Sequence, residues 1–179
     1  MAVIAFIGCG NMGGALARAA AKSPLTERLL LANRTREKAA RLAEELGAEV
    51  CDNAAAAREA DVLFLAVKPQ GLEAMVAGIR DELSARGRVL IVSMAAGWTV
   101  AELTALLGAH PVVRIMPNIP VAVGGGVTML CTSENVTAEE KALVKELLAA
   151  SGMVSELSEP LMEAASGVTG CGPALRRCS

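Results

Sequence analysis

The sequence is poor in the residue types on which many binding and catalytic sites depend. Its 179 residues include no tyrosine, two phenylalanines, one tryptophan and one histidine. Five cysteines are present, but no two of them form a C-x-x-C pair. Neither a zinc site nor a disulfide framework is therefore predicted, and we expect no metal. Unpaired cysteines favour a reducing, cytoplasmic location.

Strong charge and long apolar runs are also missing. The formal net charge is −2, and no run of lysine and arginine exceeds a pair. This balance gives no electrostatic reason to bind nucleic acid or an anionic membrane. The apolar runs are too short to span a bilayer. The opening "MAVIAFIGCG" has no basic residue before its apolar run, which predicts a strand rather than a signal peptide.

What the sequence does contain is a regular alternation of apolar runs and helical stretches. Hydrophobic residues make up 53% of the chain, enough for one domain with a substantial core. The pattern predicts an α/β fold with a Rossmann-like, doubly wound and mostly parallel sheet. Strands are predicted over 2–7, 29–32, 49–51, 61–67, 88–92, 112–116, 126–131 and 153–157. Helices are predicted over 11–23, 35–47, from the "KPQ" segment to about 83, 99–107 and 137–152.

Capping residues mark several of these helix ends. Thr99 and Thr137 each have a glutamate three residues later, which is the spacing of a capping box. Thr35 is predicted to cap its helix without such a box, because Lys38 follows at that spacing. Gly47 is predicted to end the same helix.

The stretch "IGCGNMGG" carries the first functional signal. Gly8, Gly10 and Gly13 follow a buried strand and open a helix, which is the context that a dinucleotide fingerprint requires. Gly8 permits a tight turn, Gly10 lets backbone approach a pyrophosphate, and Gly13 lets the helix pack closely. The alternative is a glycine-rich turn without a ligand.

The end of the second strand predicts which dinucleotide binds. An NAD site places an acidic residue there, but this chain has Asn33 and Arg34 in "ANRT". A guanidinium suits a 2′-phosphate, so NADPH is favoured and NADH remains possible. The alternative is that Arg34 is a solvated surface residue.

Further candidates lie in loops after predicted strands. Lys68, held by Pro69, faces either the cofactor or water. Asn118 in "MPNIP" contacts either nicotinamide or substrate, or it satisfies only loop backbone. Asn53 either caps a helix or reaches the adenosine ribose. His110 precedes a proline and is predicted to be a loop residue, so no general base is assigned.

Taken together, several motifs resemble the pyrroline-5-carboxylate reductase family. They are "FIGCGNMGGALA", "NRT", "ADVLFLAVKPQ", "VSMAAGWTV", "RIMPNIPVAVGGGVT" and "SGVTGCGPA". The resemblance implies hydride transfer from NAD(P)H to the C=N bond of a cyclic imine, giving L-proline. Proximity and orientation suffice for a protonated imine, which explains why no catalytic dyad is needed.

The resemblance also implies two sets of site residues. Cofactor contacts are implied for Ile7, Gly8, Gly10, Asn11, Met12, Gly13, Asn33, Arg34, Asn53, Val67, Lys68, Pro69, Ala95 and Asn118. Substrate contacts are implied for Glu163, Thr169, Gly170, Cys171 and Gly172. Thr169 and Cys171 stand where family members often have serines, and cysteine is the poorer hydrogen-bond donor.

The family pattern implies two domains. Residues 1–157 would form the NAD(P)-binding domain, and residues 158–179 the start of a helical domain that binds substrate and dimerises. The ending "LRRCS" departs from the family, so a shortened second domain and impaired activity are expected. Family members form homo-oligomers, whereas the assembly of this chain is left open. Two alternatives remain: a non-catalytic NADP-binding module, or another NADP-dependent reductase of the hydroxy-acid or ketopantoate type.

Overall fold

Eight strands form one sheet in the computed structural model, which describes residues 1–165. Their order in the sheet is β3-β2-β1-β4-β5-β6-β7-β8. Neighbouring strands are parallel except β6 and β7, which are antiparallel. The strands are β1 (Ala2–Ile7), β2 (Thr26–Ala32), β3 (Glu49–Val50), β4 (Val62–Leu65), β5 (Leu90–Ser93), β6 (Val112–Pro117), β7 (Gly126–Thr132) and β8 (Gly152–Glu156).

Helices cover both faces of this sheet, as the alternating pattern predicts. Residues from α1, α2 and α7 join one core cluster, and residues from α3, α4, α5 and α6 join the cluster on the opposite face. The helices are α1 (Asn11–Ala21), α2 (Arg36–Leu46), α3 (Asn53–Glu59), α4 (Leu72–Ala77), α5 (Arg80–Ala85), α6 (Val100–Leu107) and α7 (Ala138–Leu148). A further helical segment occupies residues 159–165. The Rossmann-like, mostly parallel fold is therefore confirmed.

The central strands are buried because helices cover both of their faces. All four residues of β4 and all four of β5 are buried, which explains their unbroken apolar runs. Phe6 and Phe64, the only phenylalanines of the chain, stack across β1 and β4 with ring centroids 4.3 Å apart. Both phenylalanines are thus placed at the centre of the core.

The predicted helix ends are mostly confirmed. Thr99 and Thr137 form complete capping boxes with Glu102 and Glu140. Gly47 ends α2 in the left-handed conformation with φ of 64°. Thr35 occupies the cap position of α2, but its side chain makes no capping hydrogen bond.

Three predicted elements differ from the structure by more than a shift of one or two residues, and α3 is not among the helix ranges predicted. Strand β2 begins at Thr26, three residues earlier than predicted, because its first residues pair with β1. The predicted helix from "KPQ" to residue 83 is a 3-10 turn, Pro69–Gly71, followed by two short helices that meet at Gly78 and Ile79. Helix α7 ends at Leu148 and not at residue 152, because a 3-10 turn leads into β8.

The single histidine has a structural position. His110 is buried, and its Nδ1 accepts a hydrogen bond from the Val89 backbone N–H at 3.2 Å. Its Nε2 lies 3.0 Å from the Leu83 carbonyl, which makes Nε2 the donor. Nδ1 therefore braces the residue before β5 and Nε2 braces α5, and His110 lies in a loop as predicted.

In the described part of the chain, no helix has the length and apolarity that crossing a membrane requires.

The two threonine caps provide a matched test of the fold. Thr137→Ala removes a hydroxyl that accepts from the Glu140 backbone N–H at 3.1 Å, so we expect the free energy of unfolding to fall by about 1 kcal/mol. Thr35→Ala is the control, because that hydroxyl makes no capping bond. Urea denaturation measures both variants, and equal losses in the two would contradict the assignment.

Candidate functional site

The glycine loop between β1 and α1 is shaped by two close backbone approaches. Gly8 has φ of 105°, and a Cβ there would overlap the carbonyl of Ala66, which follows β4. A Cβ on Gly13 would overlap the Gly8 carbonyl and lie 2.8 Å from the Ala66 Cβ. Gly10 differs, because a Cβ there would meet no atom within 4 Å. The fold therefore requires glycine at positions 8 and 13, whereas a Cβ at position 10 would meet open space.

The N-terminus of α1 lies at this open space without a side-chain cap. Its N-cap residue is Gly10, which has no side chain, and its first turn contains no acidic residue. In contrast, Asp52, Thr99 and Thr137 cap α3, α6 and α7 through their side chains. Uncapped N–H groups and the positive end of the helix dipole form a site for an anion such as a pyrophosphate.

Asn33 braces the glycine loop from the end of β2. Its side-chain oxygen accepts from the Cys9 backbone N–H at 2.9 Å, and its Nδ2 donates to the Thr35 carbonyl at 2.9 Å. The Cys9 side chain points inward and is buried, with Sγ 3.6 Å from the Ala32 carbonyl. Burial, with a smaller effect from Cys51, raises the pKa of Cys9 to about 11. Cys9 is therefore a protonated packing residue at neutral pH.

A cleft of about 520 Å³ runs from the glycine loop along the carboxyl ends of β4, β5 and β6. Its volume is within the range of small-molecule sites. The segment Ala95–Gly97 gives one wall of small residues, and Met94 and Met116 line it further along. Eight of the predicted site residues line this cleft: Gly10, Asn11, Met12, Gly13, Val67, Lys68, Ala95 and Glu163.

Other predicted residues contribute indirectly or lie apart from the cleft wall. Ile7 is buried at the end of β1. The Asn118 side-chain oxygen accepts from the Val127 backbone N–H at 2.9 Å, which is the loop-bracing alternative. Asn53 is the first residue of α3 and not its cap, because Asp52 takes that position and accepts from the Ala55 N–H at 2.7 Å. Asp and Asn are about equally good N-caps, so the backbone position at which the helix begins decides that Asp52 is the cap.

Lys68 is exposed at the mouth of the cleft, and Pro69 begins the 3-10 turn behind it. The substrate residues Thr169, Gly170, Cys171 and Gly172 lie outside the described residues. Within residues 1–165, no group of three or more histidine, cysteine, aspartate or glutamate side chains is placed to hold a metal ion.

Arg114 is a site residue that the sequence analysis missed. It lies on β6, is 1% exposed, and lines the cleft together with Glu163. Its guanidinium pairs with Glu159 at 2.9 Å and with Glu163. Burial lowers the pKa of Arg114, but the hydrogen bonds that its guanidinium donates to the two carboxylates outweigh this effect and leave the pKa above its usual value. The burial of Arg114 and its two carboxylate partners cannot be read from the sequence, where "VVRIM" is an apolar strand with one arginine.

A second missed group lies beside the glycine loop. Lys38 and Arg41, on the exposed side of α2, line a depression that also includes Gly10 and Asn11. The i, i+3 spacing of these two residues after "ANRT" is a signal that sequence reasoning had available. Arg34 is exposed at the start of the same region.

This combination of sheet order, glycine loop and uncapped helix defines a dinucleotide-binding domain of the oxidoreductase class. The order reverses between β1 and β4, which creates the crevice where such ligands bind. Residues 3–97 match the family model described as NADP oxidoreductase, coenzyme F420-dependent.

Alignments with more specific relatives cover almost the whole chain. It is 37% identical to a pyrroline-5-carboxylate reductase of Corynebacterium melassecola over 97% of its length, and 33% identical to that of Escherichia coli over 96%. The solved pyrroline-5-carboxylate reductase structure of Coxiella burnetii superposes with a TM-score of 0.90 at 31% identity, covering 99% of this chain and 67% of that one. A Plasmodium falciparum relative, solved with NADP bound, gives a TM-score of 0.82 at 27% identity, covering 99% of this chain and 65% of that one.

The chain belongs to the pyrroline-5-carboxylate reductase family. It spans slightly less than two thirds of the length of the curated relatives, 66% for the Corynebacterium protein and 64% for the Escherichia protein.

Two glycine substitutions test the geometry of the loop. We expect Gly13→Ala to lower the free energy of unfolding by about 1–3 kcal/mol, because its Cβ must displace backbone and Ala66. Gly10→Ala is the matched control and should cost less than Gly13→Ala, at most about 1 kcal/mol because alanine is a poorer N-cap. Its φ of −71° suits alanine and its Cβ meets open space. Thermal and urea unfolding measure both, and a stable Gly13→Ala variant would contradict the packing described.

Proposed function

We propose that this chain binds NADPH in the glycine-loop cleft and presents it for reduction of 1-pyrroline-5-carboxylate to L-proline. The observation that supports this most is the uncapped N-terminus of α1 beside Gly10, which offers backbone donors and open space to a pyrophosphate. The NADP-bound relative from Plasmodium falciparum supports the same nucleotide.

The residues that line the cleft match the successive parts of a dinucleotide. The first N–H groups of α1 would hold the pyrophosphate, and Lys68 at the mouth would add a positive charge. The small residues Ala95–Gly97 would leave room for the nicotinamide ring against the ends of β5 and β6. Asn33 would act by fixing the loop, because both ends of its amide are already bound to backbone.

Preference for NADPH is supported by four cations at the end of β2 and the start of α2. Arg34, Arg36, Lys38 and Arg41 are exposed and form no ion pair with any residue in 1–165. We call these four residues the basic cluster. Most other arginines in that range are paired with carboxylates, so the cluster is a local excess of positive charge. A 2′-phosphate carries the charge that would complement it.

The proposed reaction needs little from the protein beyond position. Bound NADPH would supply a hydride to the imine carbon, and the imine nitrogen, which takes up a proton, would become the secondary amine of proline. Since a protonated imine is already electrophilic, alignment and a dry cleft supply most of the required assistance. The substrate carboxylate is proposed to bind at Thr169–Gly172, and Glu163, which lines the cleft, is proposed as a further substrate contact.

The remaining organisation follows the family. We propose residues 1–157 as the nucleotide-binding domain and residues 158–179 as the beginning of a helical domain for substrate and dimerisation. The helical segment 159–165 supports this boundary. The free thiols of Cys9, Cys51 and Cys131 support a reducing, cytoplasmic location.

Nucleotide preference is tested by removing two of the four charges of the basic cluster. We expect Arg34→Ala combined with Lys38→Ala to weaken NADPH binding at least tenfold and to change NADH binding less than twofold, because only NADPH carries the 2′-phosphate. Fluorescence titration with each nucleotide measures both. Arg80→Ala is the control, since Arg80 is exposed on α5 and also unpaired within the described chain. Equal losses for both nucleotides would contradict the assignment.

The reaction itself is tested by following NADPH oxidation with 1-pyrroline-5-carboxylate and identifying the product. Formation of L-proline in proportion to NADPH consumed is expected. NADPH binding without turnover would instead indicate a non-catalytic NADP-binding module, and turnover of hydroxy-acid precursors would indicate a different reductase. Gly10→Ala should reduce both binding and turnover while leaving the fold intact.

A further inference from the structure

Arg114 is the most deeply buried charged residue of the cleft. It lies on β6, in register with Ser93 of β5 and Cys131 of β7, and only 1% of its surface is exposed. A guanidinium in such a position is costly unless carboxylates pair with it. Its carboxylate partners must therefore stay in place, because without them the buried charge would destabilise the fold.

Both partners come from the helical segment 159–165. Glu159 and Glu163 are four residues apart, so they lie on the same side of the helix and receive one guanidinium between them. Glu159 Oε1 also accepts from the Val100 backbone N–H at 2.7 Å, at the start of α6. One carboxylate thereby joins β6, α6 and the segment.

Apolar packing holds the same segment from another side. Met162 is fully buried and forms a small cluster with Met129 and Cys131 of β7. Burial, together with the nearby Glu159 charge, raises the pKa of Cys131 to about 11 and keeps this contact neutral. The segment thus has a charged attachment to β6 and an apolar attachment to β7.

The charged attachment is also part of the cleft. Arg114 and Glu163 line the same space as Gly10–Gly13 and Ala95–Gly97. The segment is therefore attached at two points, by the Met162 contact with β7 and by the two ion pairs with β6.

We propose that Arg114 is a positioning residue that fixes the orientation of segment 159–165 and so places the Glu163 carboxylate at the wall of the nicotinamide cleft. The placement relative to nicotinamide rests on the function proposed above. Arg114 itself acts through the two glutamates and needs no contact with substrate.

Hydrogen–deuterium exchange of the full chain tests this without any ligand. In Arg114→Met, which keeps length and removes charge, we expect exchange to rise at least tenfold in residues 157–165 and at Val100. Exchange in residues 2–20 should change less than threefold. Arg114→Lys should give an intermediate result, because one ammonium can still attract both carboxylates. Uniformly faster exchange across the chain, or no change in 157–165, would overturn the proposal.

Arg88→Met is the matched control. Arg88 also joins the sheet region to a helix through a two-bond pair with Glu140 at 2.8 Å, but it does not line the cleft. Its loss should leave exchange in 157–165 unchanged. If Arg114→Met fails to fold, Glu163→Gln removes one partner at the half-exposed end of the pair and is expected to increase exchange in 157–165 alone. Unchanged exchange in that variant would also overturn the proposal.

A second readout separates this inference from the proposed function. Arg114→Met should keep the NADPH dissociation constant within threefold, because the glycine loop is untouched. Its KM for 1-pyrroline-5-carboxylate should rise at least tenfold with kcat less affected, and Arg114→Lys should recover part of that loss. A parent chain without NADPH binding would end the proposed function but not the exchange result. If the NADPH dissociation constant and KM rose together, Arg114 would have only a structural role and the proposal would be overturned.

Discussion

The close approach of the glycine loop to the end of β4 is the constraint from which the rest of the site follows. Gly8 turns the chain against the Ala66 carbonyl, and Gly13 lets α1 begin directly above that turn. Hydrogen bonds from the Gly8 N–H to Ala32 and from the Ala66 N–H to Ile7, each 2.8 Å, hold the loop between β2 and β4. Because no side chain can enter this contact, the N-terminus of α1 faces the crevice where the sheet order reverses.

The second half of the cleft depends on charge rather than on backbone contact. The ends of β5 and β6 supply small and thioether side chains, which give a surface without strong polarity. At its far end, the buried guanidinium of Arg114 and the carboxylate of Glu163 line the cleft as an ion pair. The two ends of the cleft thus differ in chemistry, because one presents uncapped backbone N–H groups and the other an ion pair.

Several features were available from the sequence, each for a local reason. The capping boxes at Thr99 and Thr137 depend on residues three positions apart, and both are present. The glycine fingerprint is contiguous, and its strand–loop–helix context is set by neighbouring residues. Asn53 shows the limit of such reasoning, because the adjacent Asp52 is about as good a cap and only the backbone geometry settled which residue took the position. The helix after "KPQ" broke at Gly78 and Ile79 because the chain turns there to pack on α3 and β5.

By itself, the sequence determined the α/β class, the parallel core, the glycine loop and the family, since these depend on periodicity, turn residues and contiguous motifs. Tertiary structure alone decided that β7 runs antiparallel to β6, that Asn33 braces the loop, and that Arg114 meets two glutamates 45 and 49 residues away. Contacts between residues so distant along the chain leave no periodic signal. Their energy depends on burial and on geometry that exists only after the sheet has formed.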